Sequence, residues 1–351
     1  MKKILILLFI VAAPMFATES EACTRVVYTG TDGMVVTGRT MDWRDVIPTN
    51  LYVFPRGMRR EGYPKGETVR WTSRYGSVVS AGYDMGTSEG MNEAGLAVNM
   101  LYFSETDYGS DDGRPKMAVS VWAQYVLDNF ASVAEAVAEL RRETFRIYAP
   151  AMPGGEKSSV HMAISDASGN SAVAEYVDGR LDIFEGPQYR VMTNSPRYES
   201  QLAVGEYWHA VGGLNMLPGT VRSSDRFVRA SFFDGTLPAT SDPVRAAMGM
   251  LSVLRTVSVP LGITVEGHPD ISSTLWRSIC DHKTRRYWFE ATDTPTLVWV
   301  DFAKLDFAEG APVRKLTLAD GKTRYGEMSA QFVDSEPFPF LYETPSAAAS
   351  N

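Results

Sequence analysis

The order of segments along the chain predicts an α+β protein built on antiparallel sheets. Strand-like runs rich in Val, Tyr and Thr follow one another through short turns, which is how antiparallel hairpins connect. Segments with helical spacing fall between and after the strand groups instead of alternating with them one for one. The 351 residues are 44% hydrophobic and 22% charged, an ordinary globular balance. A chain of this length can therefore bury one large core or two modest ones.

The first residues read as an export signal. Lys2 and Lys3 precede an apolar run from Ile4 to Phe16. That run suits the core of a signal peptide and falls short of the ~20 apolar residues a membrane span needs. Ser20 and Ala22 are small residues three and one positions before Cys23, so cleavage is expected between Ala22 and Cys23. This gives a signal peptide over 1–22, a single domain over 23–351, and a periplasmic location. A cut after Ala17 is the alternative. A lipoprotein site is disfavoured, because Ser20-Glu21 lacks its apolar and small residues.

The domain opens with "TRVVYTG", a turn at Thr31-Asp32-Gly33, and "MVVTGRTMDW", which together read as a hairpin. Residues 69–84 continue the strand pattern, broken at Gly76 and Gly82, and "GLAVNMLYF" follows as another strand. Met91-Asn92-Glu93 with Gly95 reads as a tight turn. Residues 116–143 change to three- and four-residue spacing, predicting two helices with Ser132 capping the second. Strands return in "SSVHMAISD", "SAVAEYV" and "RLDIFEG", split by turns at 167–170 and Asp178-Gly179. "YRVMTNSP" leads into a Gly- and Pro-rich loop, and "SSDRFVRASFFDG" and "DPVRAAMGMLSVLRTV" predict two further helices. "TRRYWFEAT" and "TLVWVDF" close the strand set, and the small polar tail from 343 to 351 is expected to fray.

Several function classes are excluded. A net charge of −8 argues against a nucleic-acid partner, and loss of the leader removes two lysines and two glutamates, leaving that balance unchanged. No later segment approaches a membrane span. The P-loop, the dinucleotide fingerprint, the H-E-x-x-H helix and the G-x-S-x-G elbow are all absent. His161, His209, His268 and His282 lack metal-ligand spacing, so neither a metal nor another cofactor is expected. A Cys–His hydrolase using His161 or His282 stays open.

The chain has two cysteines, Cys23 and Cys280. They could form a disulfide, as in a periplasmic binding protein with an aromatic pocket, but a core of this size does not depend on one. Cleavage before Cys23 would leave a thiol beside a free α-amine, whose pKa near ~8 lets it act as a base around neutrality. Nucleophile and base then lie in one residue, and no histidine is required. "GRTMDW" lies on the strand beside Cys23. Arg39 and Asp42, three apart, point to opposite faces of an ideal strand, so a bulge or a strand end must bring both to the site. A plain hairpin ion pair is the alternative.

Cys23 with Thr24-Arg25, then "GRTMDW", "GMNEAGLAVNMLYF", "VMTNSP" and "SSDRFVRASF", resembles the choloylglycine hydrolase family of N-terminal nucleophile hydrolases. The leader and "AQYVLDNFASVAEAV" bring it nearest to the Gram-negative penicillin V acylase type. The resemblance implies a four-layer αββα fold with two antiparallel sheets. It also implies a cofactor-free amidase that cleaves linear non-peptide amide C–N bonds through an acyl-cysteine. On that resemblance Cys23 is the nucleophile, Asp42 orients its amine, and Arg39 favours the thiolate. Asn194 and the backbone N–H of Tyr102 would hold the oxyanion, and Arg226 would support the charged network. Trp43 and Tyr102 would form an aromatic wall for a phenoxyacetyl group, or else pack as core aromatics. A small-molecule amide of the penicillin V type is the implied substrate, with bile acid conjugates or acyl homoserine lactones as alternatives. A homo-oligomer, usually a tetramer, is implied by the same resemblance alone.

Overall fold

The computed structural model describes residues 23–152, 155, 157–263 and 272–344. The expected leader, its cleavage site apart from Cys23, His268 and most of the expected tail lie outside them. The opening hairpin is β1 (Thr24–Thr29) and β2 (Val35–Trp43). Asp32 and Gly33 take positive φ, 51° and 70°, in the connecting turn, as the right-handed twist of a hairpin demands. The chain then crosses to a second sheet with β3 (Thr49–Phe54), and β4 (Arg59–Glu61) with β5 (Arg70–Thr72) forms a small ribbon. A meander follows: β6 (Ser77–Gly82), β7 (Gly86–Asn92) and β8 (Ala97–Tyr102). Gly95, at φ 88°, makes the expected tight turn between β7 and β8, and Asn92 closes it through its carbonyl and side chain.

The first helical region is α1 (Val119–Asn129) and α2 (Val133–Leu140). Ser132 caps α2, accepting from the Glu135 N–H at 3.3 Å, while Glu135 returns to the Ala131 N–H at 2.9 Å. The first residues of the expected helix form β9 (Lys116–Ala118) instead, paired in parallel with β10 (Arg146–Tyr148). The second meander is β11 (Val160–Ser165), β12 (Ser171–Val177) and β13 (Arg180–Glu185). After the two-residue β14 (Val191–Met192) comes a correction to the expected loop: α3 (Tyr198–Val211) is a helix. Only Tyr198 and Gln201 of it are buried, because α3 rests on α4 and leaves the rest outside. A helix with so little buried surface carries no apolar stripe to read.

The helices α4 (Ser223–Thr236) and α5 (Pro243–Thr256) lie where expected, α5 starting at Pro243 with Asp242 as cap. The closing strands are β15 (Ser273–Asp281), β16 (Arg286–Ala291) and β17 (Leu297–Asp301), then β18 (Arg314–Leu316), β19 (Tyr325–Glu327) and β20 (Val333–Asp334). β15 is buried along nearly all its length, and this hides the alternation by which a half-covered strand is recognised.

The strands form two large, mainly antiparallel sheets, β14-β1-β2-β15-β16-β17-β19 and β13-β12-β11-β8-β7-β6-β3-β18-β20. Alternation along the second sheet reveals the layering. Leu51, Val53, Val78, Ala97, Leu101, Ala163 and Val173 face the first sheet, while Tyr52, Phe54, Val79, Val98, Met100, Ile164 and Ala174 pack under α1 and α2. The first sheet carries α4 and α5 on its outer face. There Gly38 lets α5 approach β2, since a Cβ at that position would lie 2.4 Å from Met250 Cγ. The layers are therefore α, β, β, α, as in the fold the resemblance implies.

The space between the sheets is not wholly apolar. Arg39 on β2 reaches Glu89 on β7 at 3.3 Å, both side chains essentially inaccessible. Glu89 also accepts from Asn99 Nδ2 at 3.2 Å and from the Tyr287 hydroxyl. Removing one partner of a buried pair strands the other charge. Glu89→Leu is accordingly expected to lower stability by about 3–5 kcal/mol in urea unfolding. A loss below about 1 kcal/mol, typical of exposed pairs, would mean that Arg39 does not depend on Glu89.

Candidate active site

Cys23 stands immediately before β1 and is 2% exposed. Its sulfur meets β2 from two directions: the Asp42 backbone N–H donates to Sγ at 3.5 Å, and Arg39 Nη2 approaches to 3.8 Å. Arg39 and Asp42 keep to opposite faces of β2, and the bulge beside them lies on the neighbouring strand β15. Asp42 pairs with Thr274 and Met41 with Trp276, so Leu275 is an extra residue on the neighbouring strand. Arg39 remains on the inter-sheet side, over the Trp276 ring at 5.0 Å and paired with Glu89, not with Asp42. The Asp42 carboxylate takes the other side, where Thr40 Oγ1 donates to Oδ2 at 3.1 Å. Asp42 thus meets the sulfur through its backbone.

The main chain of Cys23 is held from the opposite quarter. Arg226, fully buried on α4, donates through Nη1 to the Cys23 carbonyl and to Thr24 Oγ1, each at 2.6 Å. Its Nη2 donates to Asn194 Oδ1 at 2.9 Å, and its Nε to the Val221 carbonyl at 3.0 Å. The Cys23 N–H donates to the same Asn194 oxygen at 2.5 Å. Asn194 Nδ2 in turn donates to the Tyr102 carbonyl at 2.7 Å. Two expected roles are therefore filled differently in the full-length chain: Cys23 N is bound by Asn194 instead of Asp42, and the Asn194 amide is engaged by Tyr102. In this chain that nitrogen is a peptide N–H with one proton to give. Asp42 Oδ1 is buried without a well-formed hydrogen bond.

Burial raises the Cys23 thiol above its ordinary value, while the neighbouring Arg39 guanidinium pulls it down, the direction that favours the thiolate. The resting group is a neutral thiol. Burial also raises the Asp42 carboxyl, to about 6, against the pull of Arg226 and of the Thr274 and Thr40 hydroxyls. Neither histidine acts on the sulfur. His282 is bound to Thr37 Oγ1 and the Gly95 carbonyl, each at 2.7 Å, and burial lowers its pKa to about 4. His161 stacks on Phe103 and faces Glu175. Cys280 is a second free, buried thiol, so no disulfide joins it to Cys23.

A cavity of about 140 Å³ opens beside the sulfur, lined by Cys23, Arg39, Met41, Trp43, Ile47, Tyr83, Met85, Met100, Tyr102 and Leu341 among others. Trp43 and Tyr102 meet edge to face in its wall, with ring centroids 5.7 Å apart. Sequence reasoning missed two supporting residues. Glu89 holds Arg39 from the other sheet, and only its position in a buried strand reveals it. Gln201 receives the Thr193 N–H and donates to the Asn194 and Pro196 carbonyls, setting the loop that carries Asn194. It lies on α3, which the sequence pattern did not disclose.

Comparisons with known proteins agree with this architecture. The model of the linear amide C–N hydrolases, choloylglycine hydrolase family, matches residues 23–315. A penicillin V acylase of Pectobacterium atrosepticum is 39% identical, over 95% of this chain and 96% of that protein. The structure of a penicillin V acylase from Agrobacterium tumefaciens superposes with a TM-score of 0.86 at 48% identity, covering 91% of this chain and 99% of that one. A mutant of the conjugated bile acid hydrolase from Clostridium perfringens shares the fold at a TM-score of 0.71 and 20% identity, over 87% and 98% of the two chains. With a matched region that begins at the buried cysteine and takes in every site residue above except Leu341, the chain belongs to the choloylglycine hydrolase family and is a hydrolase of linear amides.

Proposed function

We propose that the chain is an exported amidase whose nucleophile is Cys23, made competent when the leader over 1–22 is removed. The observation that carries this reading is the surroundings of Cys23. A neutral, buried thiol needs a base, and neither His161 nor His282 has it among its hydrogen-bond partners. Cleavage at Ala22–Cys23 would turn the peptide N–H into an α-amine close to that thiol. Asp42 Oδ1, left without a well-formed bond, is the acceptor available to orient the new N–H groups. The family match starting at Cys23 supports the same boundary.

In the proposed cycle the α-amine takes the thiol proton as sulfur attacks the amide carbonyl carbon. Asn194 Nδ2, released from the Tyr102 carbonyl, and the Tyr102 N–H would hold the oxyanion. The ammonium then protonates the leaving amine as the C–N bond breaks, giving an acyl-cysteine. The same amine next deprotonates a water that attacks the thioester, and the acid leaves with the thiol restored. Arg39 would stabilise the sulfur as it gains negative charge, and Arg226 would fix the main chain on which the amine sits. The location would be the periplasm.

For the acyl group the cavity favours an aryl ring. Its volume is close to the ~150 Å³ of an engineered cavity that binds benzene, and Trp43 and Tyr102 supply aromatic edges. A penicillin V-like amide, giving phenoxyacetate and 6-aminopenicillanic acid, is the substrate best supported. Met41, Met85 and Met100 in the same wall favour a second reading, a flexible acyl chain, because methionine adapts to irregular apolar ligands.

N-terminal sequencing of the exported protein is expected to find Cys23 first, and quenched turnover of penicillin V should trap an acyl adduct on that residue. An active protein beginning at Thr18 would remove the α-amine from the mechanism. Cys23→Ser is expected to lose more than ~10³-fold in kcat; near-normal turnover would refute thiol catalysis.

The acid side of the pH profile follows from the α-amine, which must be neutral to take the thiol proton. The ordinary α-amine value is about 8, so kcat/KM should fall as pH drops through that region. A charged Asp42 carboxylate beside the amine would favour its ammonium form, so residual Asp42→Asn activity is expected to carry this limb at lower pH. An unmoved limb in that variant would mean that Asp42 does not act on the amine.

A further inference from the structure

We infer that Leu341, on a C-terminal strap, is a specificity-determining residue that closes the acyl pocket and limits acyl length. The proposal rests on the reading that the cavity beside Cys23 receives the acyl group. It starts from a contact that neither the motifs nor the proposed mechanism uses. The strap lies far from the site in sequence, yet Leu341 shares a cavity wall with Cys23 and Trp43.

The strap is fixed on both sides of Leu341. Phe338, 5% exposed, packs against Tyr52 and Phe54 at ring distances of 4.9 and 5.4 Å. Beyond Leu341, the Tyr342 hydroxyl donates to the Glu61 carbonyl at 3.2 Å, and the Ala151 N–H donates to Thr344 Oγ1 at 3.0 Å. Leu341 itself is held only through its backbone hydrogen bonds: its N–H donates to the Met85 carbonyl and its carbonyl accepts from Ser120 Oγ, each at 2.8 Å. These bonds do not involve the side chain, which can be changed without cutting the anchors.

A second hollow of about 460 Å³ lies against Pro339, Phe340 and Tyr342. It shares two lining residues with the acyl cavity, Met85 and Leu341. Leu341 therefore stands at the partition between a mainly apolar, half-open pocket and a second, more open groove. A short or aryl acyl group ends before this partition, whereas a long chain must pass it. Shortening the side chain joins the two spaces; enlarging it deepens the block.

The test uses the processed enzyme with linear N-acyl derivatives of 6-aminopenicillanic acid, from butanoyl to dodecanoyl, beside penicillin V. Leu341→Ala is expected to raise the dodecanoyl-to-butanoyl ratio of kcat/KM by about tenfold, and Leu341→Trp to lower it by a similar factor. Opposite shifts cannot come from partial unfolding, which lowers both substrates together. A ratio unmoved in both variants, or no gain of dodecanoyl cleavage by Leu341→Ala while penicillin V is still cleaved, overturns the role of Leu341. Failure of the wild-type enzyme on penicillin V and on the whole series overturns the acyl-pocket reading, and this inference with it.

Discussion

The hydrogen bonds of Arg226 are the interaction on which the rest of the site depends. Its guanidinium is fully buried and cannot shed its proton, so each N–H it presents must find an acceptor. Those acceptors come from separate stretches: the Cys23 carbonyl, Thr24 Oγ1, Asn194 Oδ1 and the Val221 carbonyl. Satisfying one buried cation therefore joins the start of β1, the loop before α3 and the segment entering α4. Asn194 extends the chain of bonds to Tyr102 on the second sheet.

A second buried cation holds the other flank. Arg39 is poised between the Cys23 sulfur and Glu89, and Glu89 belongs to the opposite sheet. The two sheets are thus tied by charge beside the sulfur, not only by the apolar contacts that fill the rest of the interior. Burial there has opposing consequences. It strengthens every polar contact by excluding water, and it raises the thiol so that the proposed chemistry needs a base close at hand. An α-amine on the same residue meets that need without bringing a further ionisable side chain into the interior.

The architecture was legible where local rules speak loudly. The turn at Asp32-Gly33, the Ser132 cap, Pro243 at the start of α5 and the alternating strands all stand where pattern places them. Misreadings cluster where burial is extreme. α3 buries too little to show a stripe, and β15 buries too much to alternate. Within the site, Cys23, Arg39, Asp42, Asn194 and Arg226 converge as the family motifs imply, while their partners depart from expectation. Asn194 receives the Cys23 N–H, and Glu89 receives Arg39.

By itself the sequence determined residue types and local geometry: a scarce thiol a few residues after an apolar run, a hairpin beside it, and ordered motifs that name a family. Those features depend on neighbours a few positions apart. Only the tertiary structure decided who bonds to whom. The Cys23 sulfur is met by the Arg39 side chain and by the Asp42 backbone N–H, while the Asp42 carboxylate turns to the other face. The second sheet supplies Glu89, and the far C-terminal strap supplies Leu341. Buried charges and cavity walls are satisfied by whatever the fold brings near, and that nearness is not written in any local stretch of chain.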